Sequence, residues 1–180
     1  MGGRGSSSGM GAYQRNVRSS EDEIRNEPVE HLLLLDKNGK IAMRTGDGQR
    51  GEVNVTPEMM ARAKDAVMTH NHPGGSPFSH EDIQTALTIG LREIRATTAQ
   101  NGTYSLRRDY ELDAPQNNSY WRFALDYRSY VNTEIHAALQ NRIYRGEITV
   151  DDAVRQDKSM RREWLRNNAK KYGWTYKEER

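Results

Sequence analysis

Two histidines that lie one residue apart could bring both of their imidazoles to a single reaction centre. His70 and His72 follow the apolar run 66–69 and precede a loop rich in glycine and proline. In an extended chain, residues i and i+2 point to the same side of a strand. Neutral imidazole is a common zinc ligand, and it also titrates near neutral pH. The pair predicts a metal site or an acid–base pair, and Asp82, ten positions after His72, could add an oxygen ligand.

The elements around this pair predict a small α/β domain over residues 28–112. Asp36-Lys37-Asn38-Gly39 is a strong hairpin signal, and Thr56-Pro57 is typical of a helix start. The predicted order is β-β-β-α-β-α-β-β, which gives a small mixed β-sheet with two packed helices. Strands are predicted at 31–35, 40–43, 52–55, 66–69, 93–97 and 103–106, and the second helix is predicted to begin at Ser79.

The two ends of the chain differ in composition from this middle part. Residues 1–27 are rich in glycine, serine and arginine without periodicity, so we expect them to be disordered. Residues 113–180 have a helical period and predict a helical extension. A long helix is predicted at 117–145, a short one from Thr149, and a last one that carries Trp164, with the aromatic residues after it docking on the body.

The helical extension is basic. Residues 141–180 hold 11 basic and seven acidic residues, whereas the whole chain has a net charge of only +2. This balance predicts an anionic partner, with nucleic acid the usual candidate; the alternative is a solvated helix face of mixed charge. The candidate nucleic-acid contacts are Arg161, Arg162, Arg166, Lys170 and Lys171.

Composition limits the possible chemistry. The chain has no cysteine, which excludes disulfides, thiolate nucleophiles and cysteine-based zinc sites, so any metal must be bound by His, Asp or Glu. No apolar run approaches the roughly 18 residues that indicate a membrane span. We therefore expect no membrane partner and a cytoplasmic location.

Residues 30–106 resemble the JAB/JAMM metalloprotease superfamily, and within it the RadC-like branch. The resemblance rests on Glu30, on His70-Asn71-His72-Pro73 and on Ser79-His80-Glu81-Asp82. It implies that His70, His72 and Asp82 bind zinc, that Glu30 is the general acid/base, and that Ser79 helps to stabilise an oxyanion.

One loop departs from the pattern of this superfamily. Nine residues separate His72 from Asp82, where the superfamily usually has ten. Asp82 could still complete the metal site, or it could serve only as the capping-box partner of Ser79 at the start of a helix. This loop and the segment 164–173 also resemble proteins of phages and mobile elements.

Three functions are consistent with these features. The first is a phage or mobile-element hydrolase that acts on RNA or DNA in the host bacterial cytoplasm, with a divalent metal or with none. A role against host defence is one option for it. The basic extension and the altered loop favour it. The second is a zinc isopeptidase or peptidase that acts on a ubiquitin-like protein. The third is a non-catalytic inhibitor that binds a host enzyme or an RNA–protein complex.

Overall fold

A mixed sheet of six strands forms the centre of the fold and carries helices on both faces. The computed structural model describes residues 11–45, 55–100 and 102–179. The strands are β1 Leu32–Leu35, β2 Ile41–Thr45, β3 Val67–Asn71, β4 Glu93–Thr98, β5 Gly102–Arg108 and β6 Trp174–Glu179. The helices are α1 Ala12–Asp22, α2 Pro57–Ala63, α3 His80–Thr88, α4 Asn117–Tyr130, α5 Ala137–Tyr144 and α6 Val150–Asn168. The predicted α/β class with a mixed sheet is confirmed.

The strand order places the end of β3 at the middle of the sheet. The order is β2-β1-β3-β4-β5-β6, in which β3 and β4 are parallel and the other neighbours are antiparallel. A parallel pair needs a crossover connection, and here α3 supplies it. The chain therefore leaves β3 at its carboxyl end, forms the loop after His72, and returns through α3 to β4.

Successive side chains of β1 point to opposite faces of the sheet and belong to two different apolar clusters. Leu32 and Leu34 of β1 face the larger cluster, which contains α3, α4 and α6, whereas Leu33 and Leu35 face α1 on the other side of the sheet. This is the period of two that a strand buried on both faces requires. The larger cluster lies directly behind the end of β3, so it supports the residues that follow this strand.

The N-terminal part of the chain is more ordered than its composition predicts. The expectation of disorder over residues 1–27 is wrong for α1; residues 1–10 lie outside the described part. Val17, Glu21 and Ile24 recur at helical spacing and are all buried. The apolar residues pack on β1 and β3, and Glu21 forms an ion pair with the buried Arg95 of β4. One apolar stripe and one ion pair therefore order a segment whose average composition is polar.

The C-terminal part is helical, as predicted, but it also completes the sheet. A π-helical segment, Val131–His136, joins α4 to α5 without a break, and the two helices predicted after Thr149 are the single helix α6. Gly173 has a positive φ of 85°, which turns the chain from the end of the helical region into β6. β6 pairs with β5, and its Trp174 lies in the same core as Leu34, so this part does not form a separate packing unit.

Two further expectations concern the predicted third strand and membrane-spanning segments. Of the third strand predicted at 52–55, residues 52–54 lie outside the described part, so that prediction stays open. The chain as described contains no helix that is both long and apolar enough to cross a membrane.

Candidate metal centre

His70 and His72 point their rings at one another. His70 is in β3 and His72 follows its last residue, and both side chains are buried. Their Nε2 atoms are 2.8 Å apart. The predicted common face is therefore confirmed, and His72 continues the pairing with β4 beyond the end of β3 because its N–H donates to the carbonyl oxygen of Thr97 at 2.9 Å.

Asp82 reaches both imidazoles from the first turn of α3. Its Oδ1 lies 3.3 Å from His70 Nε2 and its Oδ2 lies 3.5 Å from His72 Nε2. The same Oδ2 accepts a hydrogen bond of 2.6 Å from the backbone N–H of Ser79, while the Ser79 Oγ accepts one of 3.1 Å from the Asp82 N–H. The shortened loop still delivers Asp82, which is both a capping partner and a third side chain of the cluster.

The three side chains could hold a metal ion. His70, His72 and Asp82 each offer one ligand atom, and these atoms all lie within 4.8 Å of one another. Two ligands of a tetrahedral zinc, each about 2.0–2.1 Å from the ion, lie about 3.3–3.4 Å apart. The observed separations of 2.8, 3.3 and 3.5 Å bracket that value. The residues present therefore fit a small divalent cation.

The second nitrogen of each ring shows how the rings are oriented. His72 Nδ1 lies 2.9 Å from the carbonyl oxygen of Ser76 and can donate a hydrogen bond to it. That bond leaves the lone pair of His72 Nε2 directed at the cluster, an arrangement that metal-binding histidines commonly show. His70 Nδ1 makes no hydrogen bond of ordinary geometry among the described residues, although the backbone of Arg95 on β4 is close enough to raise the pKa of His70. The loop backbone thus orients the ring of His72, and the neighbouring strand β4 lies beside the ring of His70.

The charges in the cluster are strongly coupled. Burial alone would raise the pKa of Asp82, but the two imidazoles outweigh it and hold this pKa well below its usual range. Burial alone would lower the pKa of His70, yet Asp82 outweighs it and the pKa of His70 is raised. Burial and the neighbouring His70 lower the pKa of His72. The cluster therefore favours one positive charge beside one carboxylate, and a bound cation would take the place of that proton.

A cavity of about 490 Å³ opens beside the three side chains. Glu30 and Ser79, which the resemblance implies as catalytic residues, both line it. The Glu30 carboxylate raises the pKa of both histidines, so its charge acts on the cluster itself. The apolar part of the wall consists of Leu32, Val55, Met68 and Ile94. The structure thus brings together all five residues expected at this site.

Asn71, between the two histidines, was not predicted as a functional residue. Its side chain points away from the cavity and is fully buried. Its Nδ2 donates to the carbonyl oxygens of Glu27 at 3.1 Å and Val29 at 2.9 Å, and its Oδ1 accepts the His31 N–H at 2.7 Å. These three bonds hold the backbone on both sides of Glu30. The only sequence signal was an asparagine at a buried strand end, and the sequence cannot show which backbone it meets.

The basic residues of the C-terminal part do not form one free surface. Arg161 is buried, contrary to the expectation of a phosphate contact, and its Nε donates to Asp157 at 2.8 Å. On the other side of the guanidinium, Arg161 Nη2 lies 3.0 Å from His136 Nε2. Arg166 pairs with Glu178 at 2.8 Å, and Lys171 donates to Asn168. Position 161 lies on the packed face of an amphipathic helix, which charge counting along the sequence does not reveal.

Three comparisons with known proteins were negative. A scan against protein-family models, a search of curated proteins and a search of solved structures each gave no match.

Proposed function

We propose that this protein is a metal-dependent hydrolase that cleaves amide bonds, with zinc held by His70, His72 and Asp82. The observation that carries the proposal is the convergence of these three side chains at the wall of an open cavity that also contains an acidic residue. Structural zinc sites are usually closed by four protein ligands, whereas catalytic sites combine three with an open position. The resemblance to the JAB/JAMM superfamily implies the same chemistry.

The three metal ligands, Glu30 and Ser79 each have a role in this reaction. His70, His72 and Asp82 would hold zinc, which would act as a Lewis acid and lower the pKa of a water molecule to about 7. Glu30 accepts a proton from the attacking water and passes it to the leaving nitrogen. Ser79 accepts the N-cap bond of α3 with its Oγ, so its hydroxyl hydrogen remains available to a substrate oxygen.

The charges of the C-terminal part favour an amide over a phosphodiester substrate. A nucleic-acid site needs cations that are free to meet phosphates, but Arg161 is buried and Arg166 is already ion-paired. The nucleic-acid alternative therefore depends on Arg162, Lys170 and Lys171. A ubiquitin-like conjugate or another polypeptide is the substrate class that we favour, and a non-catalytic inhibitor remains the outcome if no substrate is cleaved.

Metal content tests the site without reference to a substrate. Protein stripped with a chelator, loaded with zinc and desalted should retain one zinc per chain by elemental analysis. His70→Ala and Asp82→Ala should bind zinc too weakly to retain it through desalting, whereas His80→Ala should retain it, because His80 pairs with Glu81 outside the cluster. Retention of zinc by both site variants would contradict the proposed centre.

Activity tests the reaction. The zinc-loaded protein is incubated with isopeptide-linked ubiquitin-like conjugates, with a peptide library, and with RNA and DNA. Glu30→Gln should keep the metal but reduce the amide-cleavage rate by about 10²–10⁴-fold, the usual contribution of a general acid/base. Cleavage of RNA or DNA instead of amides would make the protein a nuclease. Zinc binding without any cleavage would leave the inhibitor hypothesis.

A further inference from the structure

The loop between the two histidines and Asp82 is held from outside by the C-terminal helices. Tyr127 of α4 is fully buried, and its hydroxyl donates a hydrogen bond of 2.7 Å to the carbonyl oxygen of Phe78. Lys158 of α6 donates through Nζ to the carbonyl oxygen of Gly74. Within the loop, the Gly75 N–H donates to the carbonyl oxygen of His72 at 2.9 Å, and His72 Nδ1 faces the carbonyl oxygen of Ser76. The C-terminal helices therefore add two anchors to these contacts between residues 72 and 76.

The Tyr127 bond is at the point where the loop meets the ligand-bearing helix. Phe78 immediately precedes Ser79, the N-cap residue whose backbone N–H binds the Asp82 carboxylate. The Phe78 side chain is also buried, with its ring 6.5 Å from that of His70. A shift of the Phe78 carbonyl would therefore move the capping box and with it the third ligand.

The environment of Tyr127 keeps its hydroxyl as a donor. Burial raises the pKa of Tyr127 far above its usual value, so the phenol stays protonated. The buried Arg161 also faces this hydroxyl and is itself held by Asp157. Helix α6 thus supports the tyrosine that supports the loop.

We propose that Tyr127 is a positioning residue for the metal ligand Asp82, an inference that depends on the metal site of the proposed function. It acts through the Phe78 carbonyl and the Ser79 cap, and it touches neither the metal position nor the cavity. Removal of an outer hydrogen bond that orients a ligand commonly costs 10–100-fold in metal affinity. The hydrogen bonds within the loop involve residues 72–76, whereas the Phe78 carbonyl at the other end of the loop is held by Tyr127.

The chain supplies a matched control. Tyr120 lies seven residues earlier on the same face of α4 and is equally buried. Its hydroxyl donates to the backbone carbonyl of Tyr110 at 3.0 Å and accepts the Tyr110 N–H at 2.7 Å, both remote from the metal cluster. Tyr120→Phe and Tyr127→Phe therefore each remove a hydrogen bond from a buried phenol of α4 to a backbone carbonyl, and only the second removes it from the loop.

Zinc affinity, measured by competition with a chromophoric chelator, tests the proposal. Tyr127→Phe should weaken zinc binding about 10–100-fold, while Tyr120→Phe should change it by less than about threefold. The thermal midpoint of each metal-free variant shows whether both remain folded. In an Asp82→Ala background, which removes the ligand being positioned, Tyr127→Phe should have no further effect on the remaining affinity.

The visible spectrum of bound cobalt gives a second readout, because it reports coordination geometry and should change only for Tyr127→Phe. Three results would each overturn the proposal: wild-type zinc affinity in Tyr127→Phe, an equal loss in Tyr120→Phe, or an undiminished loss in the Asp82→Ala background. Absence of zinc binding by the wild-type protein would overturn it as well. If zinc binds as expected but no amide is cleaved, the proposed function fails and this inference stands.

Discussion

Replacing Asn71 by aspartate should destabilise the fold and release Glu30, although the two side chains have almost the same shape. The substitution keeps the oxygen that accepts the His31 N–H, but it removes both donors to the Glu27 and Val29 carbonyls. In their place a carboxylate oxygen faces two carbonyl oxygens in a fully buried position.

The magnitude follows from the lost bonds. Each hydrogen bond contributes about 1 kcal/mol net, and leaving buried acceptors unpaired adds about 1–3 kcal/mol. With two bonds lost, we expect Asn71→Asp to lower the free energy of unfolding by about 3–5 kcal/mol at pH 7.

The loss should depend on pH in a defined direction. Burial and the two carbonyls favour the protonated form of the introduced carboxyl, so its pKa is raised in the folded state above the unfolded value of about 3.9. A raised folded pKa gives stability that is lost as the pH rises. The deficit relative to wild type should therefore shrink on acidification, by at most about 1.4 kcal/mol per pH unit.

Urea denaturation of the wild-type protein and of Asn71→Asp at pH 5 and pH 7 measures this loss of stability. A chelator is present so that metal binding does not contribute. The control is Asn16→Asp, because Asn16 Nδ2 also donates to a backbone carbonyl, that of Asn38, but at an exposed position. Two results would refute the structural role of the three Asn71 hydrogen bonds: a loss of stability in Asn71→Asp no larger than that of the control, or a loss that grows on acidification.

The other predictions concern the metal and the basic helix. Zinc affinity should fall as the pH drops from 8 to 5.5. His70, whose pKa is raised, is protonated first, and His72, whose pKa is lowered, is protonated second. Each protonation lowers the affinity by up to about tenfold per pH unit. Competition titrations across this range check it, and a pH-independent affinity would contradict binding by the imidazoles. Arg161→Glu should lower the free energy of unfolding by about 3–5 kcal/mol because it places an acid at a buried position facing Asp157, whereas Arg166→Glu, at an exposed pair, should change it little. Denaturation curves of the two variants decide this, and equal stability would show that Arg161 is not a structural cation.

Local features of the fold follow from short-range signals in the sequence. Asp36-Lys37-Asn38-Gly39 predicted a hairpin, and Asp36 indeed accepts from the backbone of Asn38 and Lys40. Gly39 has a positive φ of 79°, and a Cβ there would lie 2.7 Å from the Tyr13 carbonyl. The helix starts at Thr56 and Ser79 were predicted from their capping residues, and both caps are formed. The turn and the two caps depend on residues within a few positions of one another, whereas the close approach of Tyr13 to Gly39 does not.

Short-range signals also predicted part of the candidate metal centre. The spacing of His70 and His72 on a strand was enough to place both rings on one side, and the Ser79–Asp82 spacing was enough to form the capping box. Whether Asp82 would also reach the histidines could not be decided from the sequence. That depends on the path of the loop, and the loop is held by Tyr127 and Lys158, which lie far along the chain.

The sequence by itself determined the α/β class, the histidine pair and the caps, because these depend on periodicity, backbone preference and neighbours in the chain. Only the tertiary structure decided that residues 12–22 form a helix, that residues 174–179 complete the sheet, that Arg161 is buried and that Asn71 clamps the segment around Glu30. Each of these depends on which distant group a side chain meets. Polar residues such as Glu21 and Arg161 can be buried only where a partner of opposite charge is already in place, and that partner is chosen by the packing of the whole chain.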